Sequence, residues 1–272
     1  MTAALKQRSR TRLGSRGHPT PSAWLARRFQ LAVACLTLGC SDPLTLGNDV
    51  VWSADQETGD LTQWTADGGG NPYLPTDSSI EVSTEAAHSG THAIKLVNPA
   101  DWDHQDDGPE LFHDAGVIDD GYYSAWFLLP KEYHLEPQMT LMRLRSRDAD
   151  GGEPFNGEEL QLRSLPVGGY VLQIFSNNAG FLLEPLADPA PRIEAGRWFQ
   201  LEARYEPQSS GRLRVWLDGV LVYDLDGRPG ATGTNMVLGI CNVAEAAEPA
   251  PLVLFVDDAA VSLSRVSVTG HL

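Results

Sequence analysis

The stretch RLRVWLDGVLVYD, residues 212–224, decides the fold class of this chain. Apolar side chains alternate with charged or larger ones on both sides of a central Asp218-Gly219 pair. An Asp-Gly pair supplies the two positive φ angles that a two-residue type I′ turn requires. The stretch therefore predicts a β-hairpin with one buried face. The side chains expected on that face are Leu213, Val215 and Leu217 before the turn and Val220 and Val222 after it.

The rest of the chain repeats this pattern in short segments separated by Gly, Pro, Asp and Asn. The segment GYYSAWFLLP, which starts at Gly121, is apolar on both faces and predicts a central strand that ends at Pro130. No segment has a helical period with capping residues, so residues 51–272 are predicted to form one antiparallel two-sheet β-sandwich. In WFQLEARYE the expected buried residues are Phe199, Leu201, Ala203 and Tyr205, and the expected exposed ones are Gln200, Glu202, Arg204 and Glu206.

The first forty residues differ from the remainder. They contain seven Lys or Arg and no acidic residue, and they end in the apolar run FQLAVACLTLGC. This order is typical of a bacterial secretory signal, and the small residue before Cys40 is typical of lipoprotein processing. We expect residues 1–40 to be removed, Cys40 or alternatively Cys35 to carry the lipid, and residues 41–50 to form a short tether. An ordinary secretory signal cut near Gly39 is the alternative. The sequence thus predicts export to the bacterial outer membrane or cell surface.

Charge and cysteine content restrict the possible partners. The whole chain has a formal net charge of -16, and residues 41–272, with 13 basic and 36 acidic residues, carry -23. Such a surface repels phosphate backbones, which makes nucleic acid a poor partner. Cys241 is the one cysteine beyond residue 40, so no intrachain disulfide is expected in the mature domain.

Three successive segments are predicted to place polar side chains on one face. Alternation in QMTLMRLRSR, ELQLRSL and YVLQIFS turns the polar residues to one side and places the following residues on the other: Met142, Leu144, Leu160, Leu162, Leu172 and Ile174. Successive strands are usually neighbours in antiparallel sheets, so these side chains are expected to form a single patch. Arginine forks suit carboxylate and sulfate groups, although a solvated face of Arg–Glu pairs is an equal alternative. The residues of the patch are Arg143, Arg145, Gln161, Arg163 and Gln173.

Landmarks along residues 50–268 resemble the concanavalin A-like jelly-roll proteins, in particular the polysaccharide lyases that act on heparin and alginate. The landmarks are VVWSADQETGDLTQW, AHSGTHAIKLV, GYYSAWFLLPKEY, GRWFQLEARYE, GRLRVWLDGVLVYD and LFVDDAAVS, in this order. The resemblance implies a jelly-roll fold with a polysaccharide groove on one sheet.

The catalytic motifs of that lyase group match this chain only in part. In GPELF, Glu110 matches the middle of an Arg-x-Glu-x-Arg strand, while Gly108 and Phe112 replace the arginines. Arg143 and Arg145 stand where a Gln-x-His pair is expected. NMVLGICN keeps the Gly and the final Asn of the group's Tyr-x-Lys-x-Gly-x-Tyr-Asn motif, and the expected Tyr and His are missing. The kept residues are Gly239 and Asn242, and the replacing residues are Asn235, Val237 and Cys241.

The resemblance also implies a structural calcium between the first and last strands. Its oxygen ligands would be Asp55, Glu57, the carbonyl of Gly59, and Asp257 or Asp258. Asp257 and Asp258 merely closing a strand is the alternative. No other cofactor is expected.

The sequence therefore predicts an exported polysaccharide-binding jelly roll that uses a sheet groove, with Trp126 as a stacking platform. The residues expected to contact the glycan are Glu110, Trp126, Arg143, Arg145, Gln161, Arg163, Gln173 and Asn242. One alternative is a lyase that cleaves an acidic uronate glycan by β-elimination, with Glu110, Arg143, Arg145 and Cys241 as catalytic candidates. Another alternative is an adhesion or structural lipoprotein that binds no sugar.

Overall fold

The computed structural model describes residues 49–65, 72–100, 108–147, 155–176, 181–183, 186, 189–206, 211–228 and 235–266. The signal segment with Cys35 and Cys40 and most of the tether lie outside these residues, so the predictions about them stay predictions. Within the described part of the chain no helix is long and apolar enough to cross a membrane.

The described residues form sixteen strands and one short helix, and the strands assemble into two antiparallel sheets of eight. Their bounds are β1 Val50–Ala54, α1 Thr62–Thr65, β2 Pro72–Tyr73, β3 Ser79–Ser83, β4 Ala93–Asn98, β5 Glu110–Gly116, β6 Gly121–Leu128, β7 His134–Arg147, β8 Phe155–Ser164, β9 Tyr170–Ser176, β10 Phe181–Leu183, β11 Arg192–Ile193, β12 Phe199–Tyr205, β13 Gly211–Leu217, β14 Val220–Arg228, β15 Asn235–Glu248 and β16 Leu252–Ser262.

Both sheets mix strands from distant parts of the sequence. Sheet I has the order β14-β13-β12-β6-β16-β4-β3, with β1 also paired to β16. Sheet II has the order β10-β9-β8-β7-β15-β5-β2, with β11 also paired to β9. The last strands, β15 and β16, lie inside different sheets, so the chain crosses between the sheets at residues 249–251. This arrangement confirms the predicted two-sheet sandwich, and β6 is central as expected.

The inner faces of the two sheets share one hydrophobic core. Tyr123 and Phe127 from sheet I are fully buried, as are Leu144, Leu160 and Leu238 from sheet II. The outward residues of each strand are therefore displayed on the two outer faces, as expected for sheets packed face to face.

The hairpin of residues 212–224 forms as predicted. Asp218 and Gly219 have φ angles of 48° and 78°, which fit a type I′ turn. Leu213 and Val215 are fully buried, and Val222 is 1% exposed. The prediction for Val220 was wrong, because this residue is 59% exposed. It is the first residue of β14, the edge strand of sheet I, and directly follows the turn.

The expected exposure of β12 was also wrong. Gln200 is 1% exposed and Glu202 is fully buried. Arg265 Nε donates to Glu202 Oε2 at 2.7 Å, and the Val266 backbone N–H donates to Oε1 at 2.9 Å. Burial raises the pKa of Glu202 more than these hydrogen bonds lower it. The segment after β16 therefore covers a strand face that alternation alone predicts to be solvated.

Candidate functional site

A row of directly paired residues crosses five strands of sheet II. It runs Phe112, Gly239, Arg143, Glu159 and Phe175, on β5, β15, β7, β8 and β9. Directly paired residues of antiparallel strands project on the same side of a sheet. Their neighbours within each strand, such as Leu111 and Leu144, lie in the core. The row thus marks the outer side, and we call this side the polar face. Its other members are Glu110, Thr140, Arg145, Gln161, Arg163 and Gln173.

Arg143 lies at the centre of the polar face between two carboxylates. Its Nη1 is in contact with Glu110 Oε1, and its Nε lies 3.2 Å from Glu159 Oε1. The side chains of Arg143, Glu110 and Glu159 are only 12%, 8% and 10% exposed. Burial alone lowers the pKa of Arg143, but the acidic neighbours outweigh burial and raise it. The guanidinium therefore stays charged and is already neutralised within the chain.

A β-bulge brings Thr140 onto the same face as Arg143. The pairing of β7 with β8 shifts between Thr140 and Met142, and both Leu141 and Met142 are in the core. Because two consecutive residues point inward, the residues on either side of them both point outward.

Thr140 and its neighbours form a connected hydrogen-bond network. Gln173 Nε2 donates to Gln161 Oε1 at 3.1 Å, and Gln161 Nε2 donates to Glu159 Oε2 at 3.0 Å. Thr140 Oγ1 donates to the same Glu159 oxygen at 3.1 Å. These bonds fix the orientation of the side-chain amides, since each donor faces an identified acceptor.

The network borders a pocket of about 370 Å³. No tyrosine, histidine or lysine is among the described residues that line the pocket. The polar groups therefore come from amide, hydroxyl, carboxylate and guanidinium side chains. The lining residues are Gln138, Thr140, Arg143, Glu159, Gln161, Phe175, Val243, Ala244 and Glu245.

Arg145 and Arg163 lie on the polar face beyond the pocket. The guanidinium of Arg145 lies 5.7 Å from the ring centroid of Phe112, which is within cation–π range. Arg163 is exposed on β8. Within the described part of the chain neither arginine has a carboxylate partner, in contrast to Arg143.

Cys241 lies directly beside Glu110 in the pairing of β15 with β5. Its Sγ is 3.7 Å from Glu110 Oε2, and the residue is fully buried. Burial, followed by the charge of Glu110, raises the pKa of the thiol well above its ordinary value. A protonated, inaccessible thiol is neither a base nor a nucleophile, which argues against Cys241 as a catalytic residue.

Two predicted ligand contacts lie away from the polar face. Trp126 is on β6 of sheet I, where its ring stacks on His88 with centroids 3.7 Å apart. Asn242 is fully buried, and its Nδ2 donates to the carbonyls of Leu96 and Leu252 at 3.0 Å. Trp126 therefore lies on the opposite side of the sandwich, and Asn242 ties sheet II to sheet I. Neither residue shares a groove with Arg143.

Tyr73 is a polar-face residue that the sequence did not reveal. It pairs directly with Glu110 across β2 and β5 and is 49% exposed. The strand β2 is only two residues long, Pro72–Tyr73, so it shows no alternation that could identify it.

The proposed calcium ligands fall into two groups. Glu57 accepts backbone N–H bonds from Thr91 and His92, both at 2.8 Å. Burial opposes ionisation, but these bonds outweigh it and lower the pKa of Glu57. Asp55 Oδ1 accepts from Gln63 Nε2 at 2.8 Å, and Gly59 closes the turn through its N–H to the Gln56 carbonyl. Asp55 is therefore hydrogen-bonded within its own loop, and Glu57 is hydrogen-bonded to the residues directly before β4.

Asp257 and Asp258 form the second group and are nearly fully buried. Burial and then the Asp258 charge raise the pKa of Asp257 to about 8. Ala54 pairs with Ala259, which places the residues after Ala54 alongside the Asp pair. Gln56 there is fully buried, and its Oε1 has no partner in the described part of the chain. Both carboxylates already have partners: Asp257 accepts from the backbone N–H groups of His88, Ser89 and Asp258, and Asp258 contacts His88 Nδ1 and accepts from the Ser89 hydroxyl. The unsatisfied amide oxygen of Gln56 suits Ca²⁺, but no group of three or more His, Cys, Asp or Glu side chains within the described residues is arranged to hold a metal.

Comparisons with known proteins identify the fold. No family model matches the chain, and no curated protein matches it in sequence. Among solved structures, an endo-β-1,4-glucuronan lyase from the fungus Trichoderma reesei superposes with a TM-score of 0.57 at 12% identity, covering 79% of this chain and 96% of its own. The cellulose induced protein Cip1 gives 0.54 at 17% identity, with 78% and 97% covered. The alginate lyase Aly36B gives 0.50 at 9% identity, with 84% and 97% covered. The chain therefore has the predicted concanavalin A-like jelly-roll fold.

Proposed function

We propose that this protein binds a polysaccharide across the polar face of sheet II. The observation that carries the proposal is the pocket beside the Thr140–Glu159–Gln161–Gln173 network, in which buried polar side chains are held in fixed orientations on rigid strands. Sites of this kind, with a few fixed polar groups in a concave lining, are typical of small-molecule and sugar recognition. The structural neighbours, two polysaccharide lyases and Cip1, support the same proposal.

Affinity electrophoresis of the purified protein through gels containing soluble polysaccharides tests this proposal. Retardation by at least one polysaccharide is expected, and Gln161→Ala is expected to abolish it because this residue links Gln173 to Glu159. Arg197→Ala is the matched control, since Arg197 is 73% exposed and lies beside Asp218 of the sheet I hairpin. Unchanged migration in every gel would favour an adhesion or structural protein that binds no sugar.

A lyase is the second candidate, and the placement of Tyr73 favours it. A β-elimination needs a base for the proton beside the uronate carboxylate and an acid for the leaving oxygen. Tyr73 is 49% exposed and pairs directly with Glu110, which places a phenol and a carboxylate on neighbouring strands at this edge. Incubation with alginate, heparin, hyaluronan and glucuronan should then raise the ultraviolet absorbance of the unsaturated product, and Tyr73→Phe should abolish that rise. No rise with any of the four polymers removes this candidate.

The proposal extends to the location of the protein and to a structural ion. Residues 1–40 support export with a lipid on Cys40, and a mass spectrum of the processed N-terminus separates Cys40 from Cys35. The buried Asp257–Asp258 pair supports a Ca²⁺ ion held by these carboxylates together with Gln56.

A further inference from the structure

We infer that the pocket of the polar face recognises the hydroxyl groups of a neutral polysaccharide rather than the carboxylates of a uronate polymer. This inference rests on the proposed glycan binding and names its substrate class. It is carried by the charges and hydrogen bonds around Arg143, which differ from what the arginine pattern of the sequence predicts.

The central arginine is already flanked by two carboxylates of the chain itself. Bidentate recognition of a carboxylate needs two adjacent N–H groups of one guanidinium. Glu110 already contacts Nη1 of Arg143, and Glu159 lies 3.2 Å from its Nε. A uronate would therefore compete for the guanidinium with two carboxylates that are each about 90% buried beside it.

The charge of the pocket also disfavours an anionic ligand. Among the described residues that line the pocket, Glu159 and Glu245 are acidic and Arg143 is basic, so acidic side chains outnumber basic ones in this set. Glu110 adds a third carboxylate next to Arg143. Like charges brought together in a partly desolvated site repel strongly. Each uronate residue of a polymer would meet this repulsion, whereas a neutral sugar would not.

The same side chains suit hydroxyl groups, which both donate and accept hydrogen bonds. The carboxylates of Glu159 and Glu245 can accept from a hydroxyl, and the amides of Gln138 and Gln161 both donate and accept. Phe175 pairs directly with Glu159 and lines the pocket, so it supplies an apolar surface beside the acceptors. Acceptors next to an aromatic ring match a pyranose, which has polar edges and an apolar C–H face.

Matched pairs of oligosaccharides provide the test. Isothermal titration calorimetry would compare cellohexaose with the hexamer of β-1,4-glucuronan, and mannohexaose with the hexamer of mannuronan. In each pair the uronate carries a carboxylate at C6 of every sugar in place of the hydroxymethyl group. We expect at least one neutral hexamer to bind about tenfold or more tightly than its uronate counterpart at low salt. The preference should shrink as salt is added, because screening weakens the repulsion of the uronate.

A charge variant separates this inference from a merely structural role. Glu159→Gln removes one carboxylate and leaves Arg143 paired with Glu110 alone, so it should weaken neutral binding and strengthen uronate binding. Loss of folding alone would weaken both, and Arg197→Ala should change neither. Tighter binding of the uronate hexamers by the unaltered protein overturns the inference while leaving glycan binding intact. Failure of all four hexamers to bind overturns the proposed function as well.

Discussion

Replacement of Arg143 by methionine gives the sharpest test of the polar face. Methionine keeps an unbranched apolar side chain but removes the charge. It leaves Glu110 and Glu159 without their shared guanidinium in a site where each is about 10% exposed. Removing one partner of a buried ion pair costs about 3–5 kcal/mol, because the remaining charge is left uncompensated. For a domain of this size about 1 kcal/mol lowers Tm by about 2–4 °C. The expected loss is therefore on the order of 10 °C.

Calorimetry of three variants isolates the cause. Arg163→Met is the matched control, since Arg163 is exposed on the neighbouring strand, and its effect should stay within about 0.5 kcal/mol. Adding Glu110→Gln and Glu159→Gln to Arg143→Met should recover much of the lost stability, because a neutral replacement of a whole buried ion group is often well tolerated. Equal melting temperatures for Arg143→Met and Arg163→Met would refute the view that Arg143 is committed to its carboxylates. Arg143 would then be free to bind a ligand.

Four other predictions follow from single contacts. Gly157→Ala should destabilise the domain by about 3 kcal/mol or more in urea titrations, because the new Cβ would lie 1.8 Å from the Leu144 carbonyl oxygen. Gly239→Ala should cost about 1 kcal/mol, because its Cβ would lie 3.1 Å from a Phe112 ring carbon. A larger loss for Gly239→Ala than for Gly157→Ala would contradict this packing. Gly219→Ala should cost about 1 kcal/mol by the same measurement, since its φ is 78°, and no change would argue against the type I′ turn. Cys241 in the native protein should resist a maleimide until urea unfolds the domain, because the thiol is fully buried; rapid native labelling would disprove its burial. Chelation by EDTA should lower Tm, added Ca²⁺ should restore it, and Asp257→Asn should remove this response, whereas a Tm insensitive to both would rule out the calcium ion.

Local patterns were sufficient to predict the strands and their faces. The period of two is a property of the extended backbone, so alternation in residues 212–224 and around Met142 and Leu144 identified buried positions without knowledge of any partner strand. The pairing of β7, β8 and β9 also followed from sequence, because successive strands tend to be neighbours.

Predictions failed where a distant segment changes the environment of a residue. Glu202 is buried by Arg265 and Val266, more than sixty residues later. Trp126 was grouped with the arginines of β7, yet β6 belongs to sheet I and β7 to sheet II. Alternation states which residues share a side of one strand, but it does not state in which sheet that strand lies.

The sequence by itself determined an all-β sandwich, the hairpin of residues 212–224 and the polar residues of three neighbouring strands. The tertiary structure decided the electrostatics of that surface, because Glu110 on β5 and Arg143 on β7 meet only when β15 lies between them in sheet II. The surface that the sequence predicts as a patch of arginines contains, in the folded protein, a pocket lined by carboxylates and amides around the paired guanidinium of Arg143. The physical reason is that the burial and pairing of a charge depend on strand order, which no local period encodes.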